Sequence, residues 1–145
     1  MIEEKTIDGY LYSTDKTKLQ LEYIHHFLSV ESYWAQNIPL DILQKSIEGS
    51  LCFGIYNGDK QIGFARLITD NATFGYLADV FVDKDYRGKG LSKELMRFIF
   101  AYPTVKLFRR MLLATLDAHG LYQQFGFESM ENNKRLMGIK FFDNY

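Results

Sequence analysis

The spacing of apolar positions changes several times along this chain, and each change marks an element. Gly9 to Thr14 reads as a short strand. Asp15 or Thr17 can cap a helix after it. Leu19, Tyr23, Ile24, Phe27 and Leu28 then recur at helical spacing, so residues 17 to 29 read as an amphipathic helix. Tyr33-Trp34-Ala35-Gln36-Asn37-Ile38-Pro39 interrupts the pattern, and Leu40 to Glu48 reads as a second helix ended by Gly49. Two strands, 50 to 56 and 61 to 68, flank Asn57-Gly58-Asp59-Lys60. That is a hairpin signal, because Asn-Gly tolerates the positive φ of a tight turn. Asp70-Asn71-Ala72-Thr73 marks another turn, and a long strand follows over 74 to 82. After Arg87-Gly88-Lys89-Gly90, the residues Leu91, Leu95, Phe98 and Ile99 fall on one helical face until Pro103 stops the helix. Arg110 to Thr115 reads as a strand. Asp117 is expected to cap a short helix reaching Gln124, with Gly126 ending it in the left-handed conformation. Leu136 to Phe142 reads as a last strand.

The resulting order is β-α-α-β-β-β-α-β-α-β. A three-strand meander followed by βαβ predicts an α/β chain with a mixed central sheet and helices on both faces. The 145 residues fit one domain, and no repeat or Gly-, Pro- or Ser-rich linker divides them.

Charge and cysteine content narrow the function. Seventeen basic against 18 acidic residues leave a net charge of -1, so no single-sign field recruits nucleic acid or an anionic membrane. Any polyanion must be held locally. Cys52 is the only cysteine, which excludes an intrachain disulfide and a zinc cluster, and no metal is expected. Its neighbours, Leu51 and Phe53, predict a buried thiol rather than a nucleophile. The start, Met1-Ile2-Glu3-Glu4, lacks the apolar run of a signal peptide, so a cytoplasmic location is expected.

Most of the chemical information lies in Val80-Phe81-Val82-Asp83-Lys84-Asp85-Tyr86-Arg87-Gly88-Lys89-Gly90-Leu91-Ser92. Here an apolar strand runs into a glycine turn that opens a helix. The first amides of a helix lack intrahelical partners, and with the helix dipole they attract anions. Gly88 and Gly90 remove Cβ atoms from the approach, and Arg87 and Lys89 add local positive charge. The expected ligand is a phosphate or pyrophosphate. A Walker A loop is absent. A dinucleotide fingerprint would need a third glycine where Lys93 stands.

Arg87, Gly90 and Ser92 fit an R-x-x-G-x-small pattern, which resembles the pyrophosphate loop of the GNAT superfamily of acyl-CoA-dependent N-acetyltransferases. Downstream, Leu121-Tyr122-Gln123-Gln124-Phe125-Gly126-Phe127 resembles that family's L-Y-x-x-x-G-F ending. Both motifs occur in order with a strand between them. Ser92 stands where glycine or alanine is more usual, and Thr115 where many members carry an asparagine. The resemblance covers residues 50 to 130 best.

The resemblance implies a GNAT-like sheet of about six to seven strands and acetyl-CoA as acyl donor. It places the pyrophosphate on the amides from Arg87 through Gly88, Lys89, Gly90 and Leu91 to Ser92. The pantetheine arm would lie along the edge Val80-Phe81-Val82, with Leu113 to Thr115 as the opposite wall. Tyr122 matches the tyrosine often given the role of general acid toward the leaving thiolate. Asp79, a carboxylate among apolar residues, is a candidate base; its alternative is a salt bridge to Arg66, diagonal to it across the 61–68 and 74–82 strands. Tyr33, Trp34, Arg66, Phe74 and Tyr76 are candidates for the acceptor pocket. His119 is one helical turn before Tyr122, whereas His25 and His26 read as structural or exposed, and Phe125 and Phe127 as core. The expected activity is acetyl transfer from acetyl-CoA to a primary amine of a small molecule, with a homodimer as an open possibility. The competing readings are a non-catalytic acyl-CoA-binding module and a nucleotide-phosphate binder of another fold.

Overall fold

Asp8 and Gly9 both sit at positive φ, 52° and 85°, and turn the chain back on itself. Two consecutive positive φ values match the right-handed twist of a two-residue hairpin. The turn joins β1 (Glu4–Ile7) to β2 (Tyr10–Ser13). In this computed structural model, which describes residues 1–131 and 133–145, the first of these strands is an addition to the sequence reading. Its Asp-Gly signal was present, but its exposed, charged residues show no apolar alternation.

The other elements follow the expected order. They are α1 (Leu21–His26), α2 (Leu40–Glu48), β3 (Leu51–Asn57), β4 (Lys60–Thr69), β5 (Phe74–Val82), α3 (Leu91–Ala101), β6 (Arg110–Leu113) and α4 (His119–Gln123). The six strands form one mixed sheet in sequence order, antiparallel up to β5, with β6 parallel to it. Parallel pairing of β5 and β6 requires the crossover that α3 provides.

Strand alternation sends successive side chains to opposite faces. Phe53 and Ile55 of β3, with Ile62 and Leu67 of β4, pack under Leu91, Leu95, Met96 and Ile99 of α3. Cys52 and Phe64 point the other way and meet Ile24, Phe27, Leu28 and Leu43 of the α1–α2 side. Each fully buried aliphatic side chain stabilises the fold by about 1.5–3 kcal/mol. Truncating Leu95, wholly buried on the inner face of α3, costs about 2–5 kcal/mol.

Three local expectations are corrected. Residues 17 to 29 are not one helix. Asp15 caps a single 3₁₀ turn (Lys16–Lys18), accepting from the Thr17 amide at 2.9 Å, and the chain is extended at Leu19. Gln20 is held by tertiary bonds, its amide donating to Gln61 Oε1 at 2.8 Å and its side chain to Asp59 O at 2.6 Å, so α1 starts only at Leu21. Second, 136–142 forms no strand: Leu136, Met137, Ile139, Phe141 and Phe142 are all exposed and pair with no ladder. Apolar content suggests a strand, but only a paired edge makes one. Third, Asp117 does not cap α4. The Thr115 hydroxyl instead accepts the Ala118 N–H at 3.1 Å, ahead of the helix.

Candidate active site

Two irregularities of β5 build the site. The first is a bulge. Phe64 pairs with Phe81 and Arg66 with Ala78, so Ala65 of β4 faces two residues, Asp79 and Val80. Asp79 absorbs the extra residue at φ 54°, a left-handed conformation that a short polar side chain tolerates better than most. The bulge aims the Asp79 carboxylate at two donors. Arg66 Nε donates to Oδ2 and Trp34 Nε1 to Oδ1, each at 2.9 Å. Arg66 also donates from Nη1 to the Ser50 hydroxyl at 3.1 Å. Both carboxylate oxygens of Asp79 are therefore engaged, and the ion pair that was its alternative reading is present.

The second irregularity is a splay. β5 and β6 pair only from Phe74/Arg110 to Leu77/Leu113. Beyond that point β5 continues to Val82 while the other strand leaves the ladder. A cavity of about 390 Å³ fills the opening. It is bounded by Ala78, Asp79 and Val80 on one side and by Ala114 and Thr115 on the other. Tyr33, Trp34 and Tyr76 supply aromatic wall, and Tyr122 sits at the base.

Tyr122 is 8% exposed. Burial pushes its phenol up to about 12, with the neighbouring Tyr33 and Asp117 adding to the effect. It stays protonated through neutral pH and remains a donor. A second groove of about 960 Å³ runs along β6 and shares Tyr76, Leu113, Ala114, Thr115 and Tyr122 with the first. His119 lines that groove and is not part of the first cavity's wall.

The glycine turn follows Val82, at the end of β5 where the splay lies. A 3₁₀ turn (Lys84–Tyr86) leads into Gly88 and Gly90, at φ 79° and 77°. Gly90 is the N-cap of α3 and brings no side chain to its first amides. No protein atom crowds the glycines: a Cβ at either position would meet nothing within 4 Å. The torsion itself calls for glycine, because L-residues pay for positive φ. Tyr86 braces the turn. Asn57 Nδ2 donates to its hydroxyl at 3.0 Å, and the ammonium groups of Lys60 and Lys89 lie 5.9 and 5.4 Å from its ring centre. Arg87 Nε donates to Val82 O at 3.3 Å, tying turn to strand.

Of the residues singled out from sequence, Tyr33, Trp34, Tyr76, Asp79, Val80, Thr115 and Tyr122 line the cavity, and Arg87 to Ser92 form the turn beyond Val82. Phe74 does neither; it pairs with Arg110 at the opposite end of β5 and lies outside the cavity. Arg66 reaches the site only through Asp79. The Phe81 side chain is core, stacked on Phe27 with ring centres 3.8 Å apart. His25 bonds Ile38 O at 2.9 Å and is structural. The reading missed Leu116 and Ser50. Leu116 lines the cavity and its amide donates to the Tyr33 hydroxyl at 3.1 Å, while Ser50 anchors Arg66. Both are tertiary partners with no sequence signal. Among the described residues no group of three His, Cys, Asp or Glu stands ready for a metal ion, and no helix is long and apolar enough to cross a membrane.

Residues 48–129 match the profile of the acetyltransferase (GNAT) domain. A Gibberella zeae protein provisionally named an acetyltransferase is 33% identical over 137 residues, covering 81% of this chain and 77% of its own. A crystal structure from Xanthomonas campestris pv. campestris, provisionally assigned to the GNAT family, superposes with a TM-score of 0.89 at 44% identity. The match covers 93% of this chain and 95% of that one. A GNAT acetyltransferase from Elizabethkingia anophelis, crystallised with acetyl-CoA bound, shares the fold at TM-score 0.63 and 12% identity, over 93% and 91% of the two chains.

Proposed function

Because this chain belongs to the GNAT acetyltransferase family, we propose that it moves an acetyl group from acetyl-CoA to a primary amine of a small molecule by direct transfer in a ternary complex. The observation that carries this reading is the splay: it opens at the Leu77/Leu113 pair, one end leads to the glycine turn, and Tyr122 stands at the other.

The residues present suit the donor. The uncapped first amides of α3, with Arg87, Gly88, Lys89, Gly90, Leu91 and Ser92, suit a pyrophosphate. The backbone of Val80, Phe81 and Val82, released from β6, suits an extended amide-bearing arm that pairs as an added strand does. Thr115 lines the opposite wall. When bound, acetyl-CoA supplies an activated thioester.

The reaction forms an N–C bond and breaks a C–S bond, so the amine gives up a proton and the thiolate gains one. An alkyl amine with a pKa near 10 is neutral in about one molecule per thousand at pH 7, a penalty of about 4 kcal/mol. The cavity lowers that penalty by excluding water from an acceptor held against its aromatic wall. Tyr122, held neutral by burial, serves as the proton donor to sulfur, and the proton that the acceptor nitrogen gives up returns through solvent to the Tyr122 oxygen, so the step balances. Asp79 was the candidate base. With both oxygens engaged by Arg66 and Trp34, it serves better as the group that fixes the wall.

Calorimetry with CoA, acetyl-CoA and ATP, followed by thiol release with an amine panel, tests the reading. Binding of CoA over ATP with amine-dependent thiol release is the expected result. Binding without thiol release from any amine would leave a non-catalytic acyl-CoA-binding module, and tighter binding of ATP would refute the reading.

A further inference from the structure

We infer, resting on the acyl-transfer reading, that the acceptor is an amine with an uncharged apolar or aromatic body, carrying no carboxylate or phosphate beside the amine. Three observations point there.

The cavity at the splay has no cation in its wall. Its charged residues are Asp79 and Asp117. Arg66, behind Asp79, is spent: its Nε is bonded to Asp79 and its Nη1 to Ser50, and its side chain is only 14% exposed. An anionic group entering here would lose its water, find no positive partner and lie near Asp117. A protonated amine meets the reverse situation, since aromatic faces and carboxylates both attract it.

The rim is aromatic and is tethered rather than packed. Tyr33 and Trp34 are 46% and 41% exposed and belong to neither core cluster. They meet edge to face, ring centres 5.0 Å apart at 81°. Each is fixed by a single polar bond to a different side of the splay: Trp34 to Asp79 of β5, and Tyr33 to the Leu116 amide beyond β6. Two large exposed aromatics held in place by their polar tips present apolar faces to a ligand instead of collapsing into the core.

The bulge gives Asp79 its part. At φ 54° its carboxylate holds Trp34 with one oxygen and neutralises Arg66 with the other. Asp79 is thus a positioning residue that both sets the wall and withholds the Arg66 guanidinium from this cavity.

Trp34 is the chain's single tryptophan, so its fluorescence reports this wall alone. With the full chain saturated in CoA, Trp34 emission is titrated with phenethylamine and with phenylalanine, which differ only by the carboxylate. The same pair is then compared as acceptors in thiol release from acetyl-CoA. Phenethylamine is expected to shift Trp34 emission and to be favoured at least tenfold in kcat/KM. Equal or greater preference for phenylalanine, or turnover confined to phosphorylated or carboxylated amines, overturns the inference while leaving acyl transfer intact. Failure to bind CoA, or no thiol release with any amine, overturns the acyl-transfer reading itself. Asp79→Asn keeps an acceptor for the indole but frees the Arg66 charge, so the preference should narrow at least threefold. Trp34→Phe, which needs no change at the bulge, should raise KM for phenethylamine with CoA affinity unchanged. An unaltered preference in the first variant together with an unaltered KM in the second overturns the assignment.

Discussion

The Tyr33 hydroxyl accepts the backbone N–H of Leu116 at 3.1 Å across 83 residues of sequence, and this bond closes the roof of the cavity. It joins the α1–α2 connection to the loop between β6 and α4. The Tyr33 ring also meets Trp34 edge to face.

Tyr33→Phe removes this tie while keeping the ring. One neutral hydrogen bond is worth about 1 kcal/mol, or roughly fivefold. The expected result is a rise of about that size in KM for the amine, with kcat and CoA affinity nearly unchanged. Steady-state kinetics with each substrate varied in turn checks it; a loss confined to kcat would place Tyr33 in the chemistry instead.

Tyr122→Phe should lower kcat by about a hundredfold, within the range that a positioned proton donor supplies, and leave CoA affinity in calorimetry unaltered. Because burial pushes the phenol up to about 12, no alkaline limb from this group should appear in kcat below about pH 11. A limb near pH 9 that vanishes in the variant would contradict the buried placement.

Four tyrosines predict alkaline instability. Burial raises Tyr12 and Tyr122 to about 12, and raises Tyr23 and Tyr56 further in the same direction. A phenol near 10 in the unfolded chain ionises there first, so the unfolded state loses its protons while the fold keeps them. Stability from these groups is complete below pH 10 and drains away as pH climbs through 10 to 12. Urea midpoints measured at pH 8, 10 and 11 should fall in that order.

Gly90→Ala should weaken CoA binding about tenfold. The left-handed torsion at φ 77° costs an L-residue about 1–2 kcal/mol, and the added methyl meets no atom, so the loss comes from the torsion and from a displaced α3 amide turn. Gly90→Asn should recover part of the affinity, since Asn tolerates that region. Equal affinity for the alanine variant and the parent would mean the turn is not where the ligand is gripped.

Cys52 is 1% exposed, and burial raises its thiol to about 11. It should resist a disulfide-exchange reagent at pH 8 in the folded protein and react fully in denaturant. Rapid modification without denaturant would be incompatible with its place in the core.

Much of this protein could be read directly from its residues. Alternating apolar runs separated by Asn57-Gly58 and by Asp70–Thr73 specify a meander, because side-chain period and turn chemistry are local properties. The glycine turn, with Arg87 before it and an amphipathic face after it, announces a helix start with free amides, for the same reason. Gly126, left-handed at φ 94°, marks a helix stop in the same local way. What no local pattern could decide depends on pairing between distant segments. Residues 136–142 have a strand's composition but no partner edge, and β1 has a partner without the composition. Asp79 reads equally as a base or an ion-pair member until a one-residue bulge against Ala65 turns its carboxylate toward Arg66 and Trp34. A bulge is a mismatch between two strands, and neither strand's sequence contains it alone. The depth of the splay, Tyr33 over Leu116 and the commitment of the Arg66 charge belong to the same class: they exist only once the chain has brought separated residues within bonding distance.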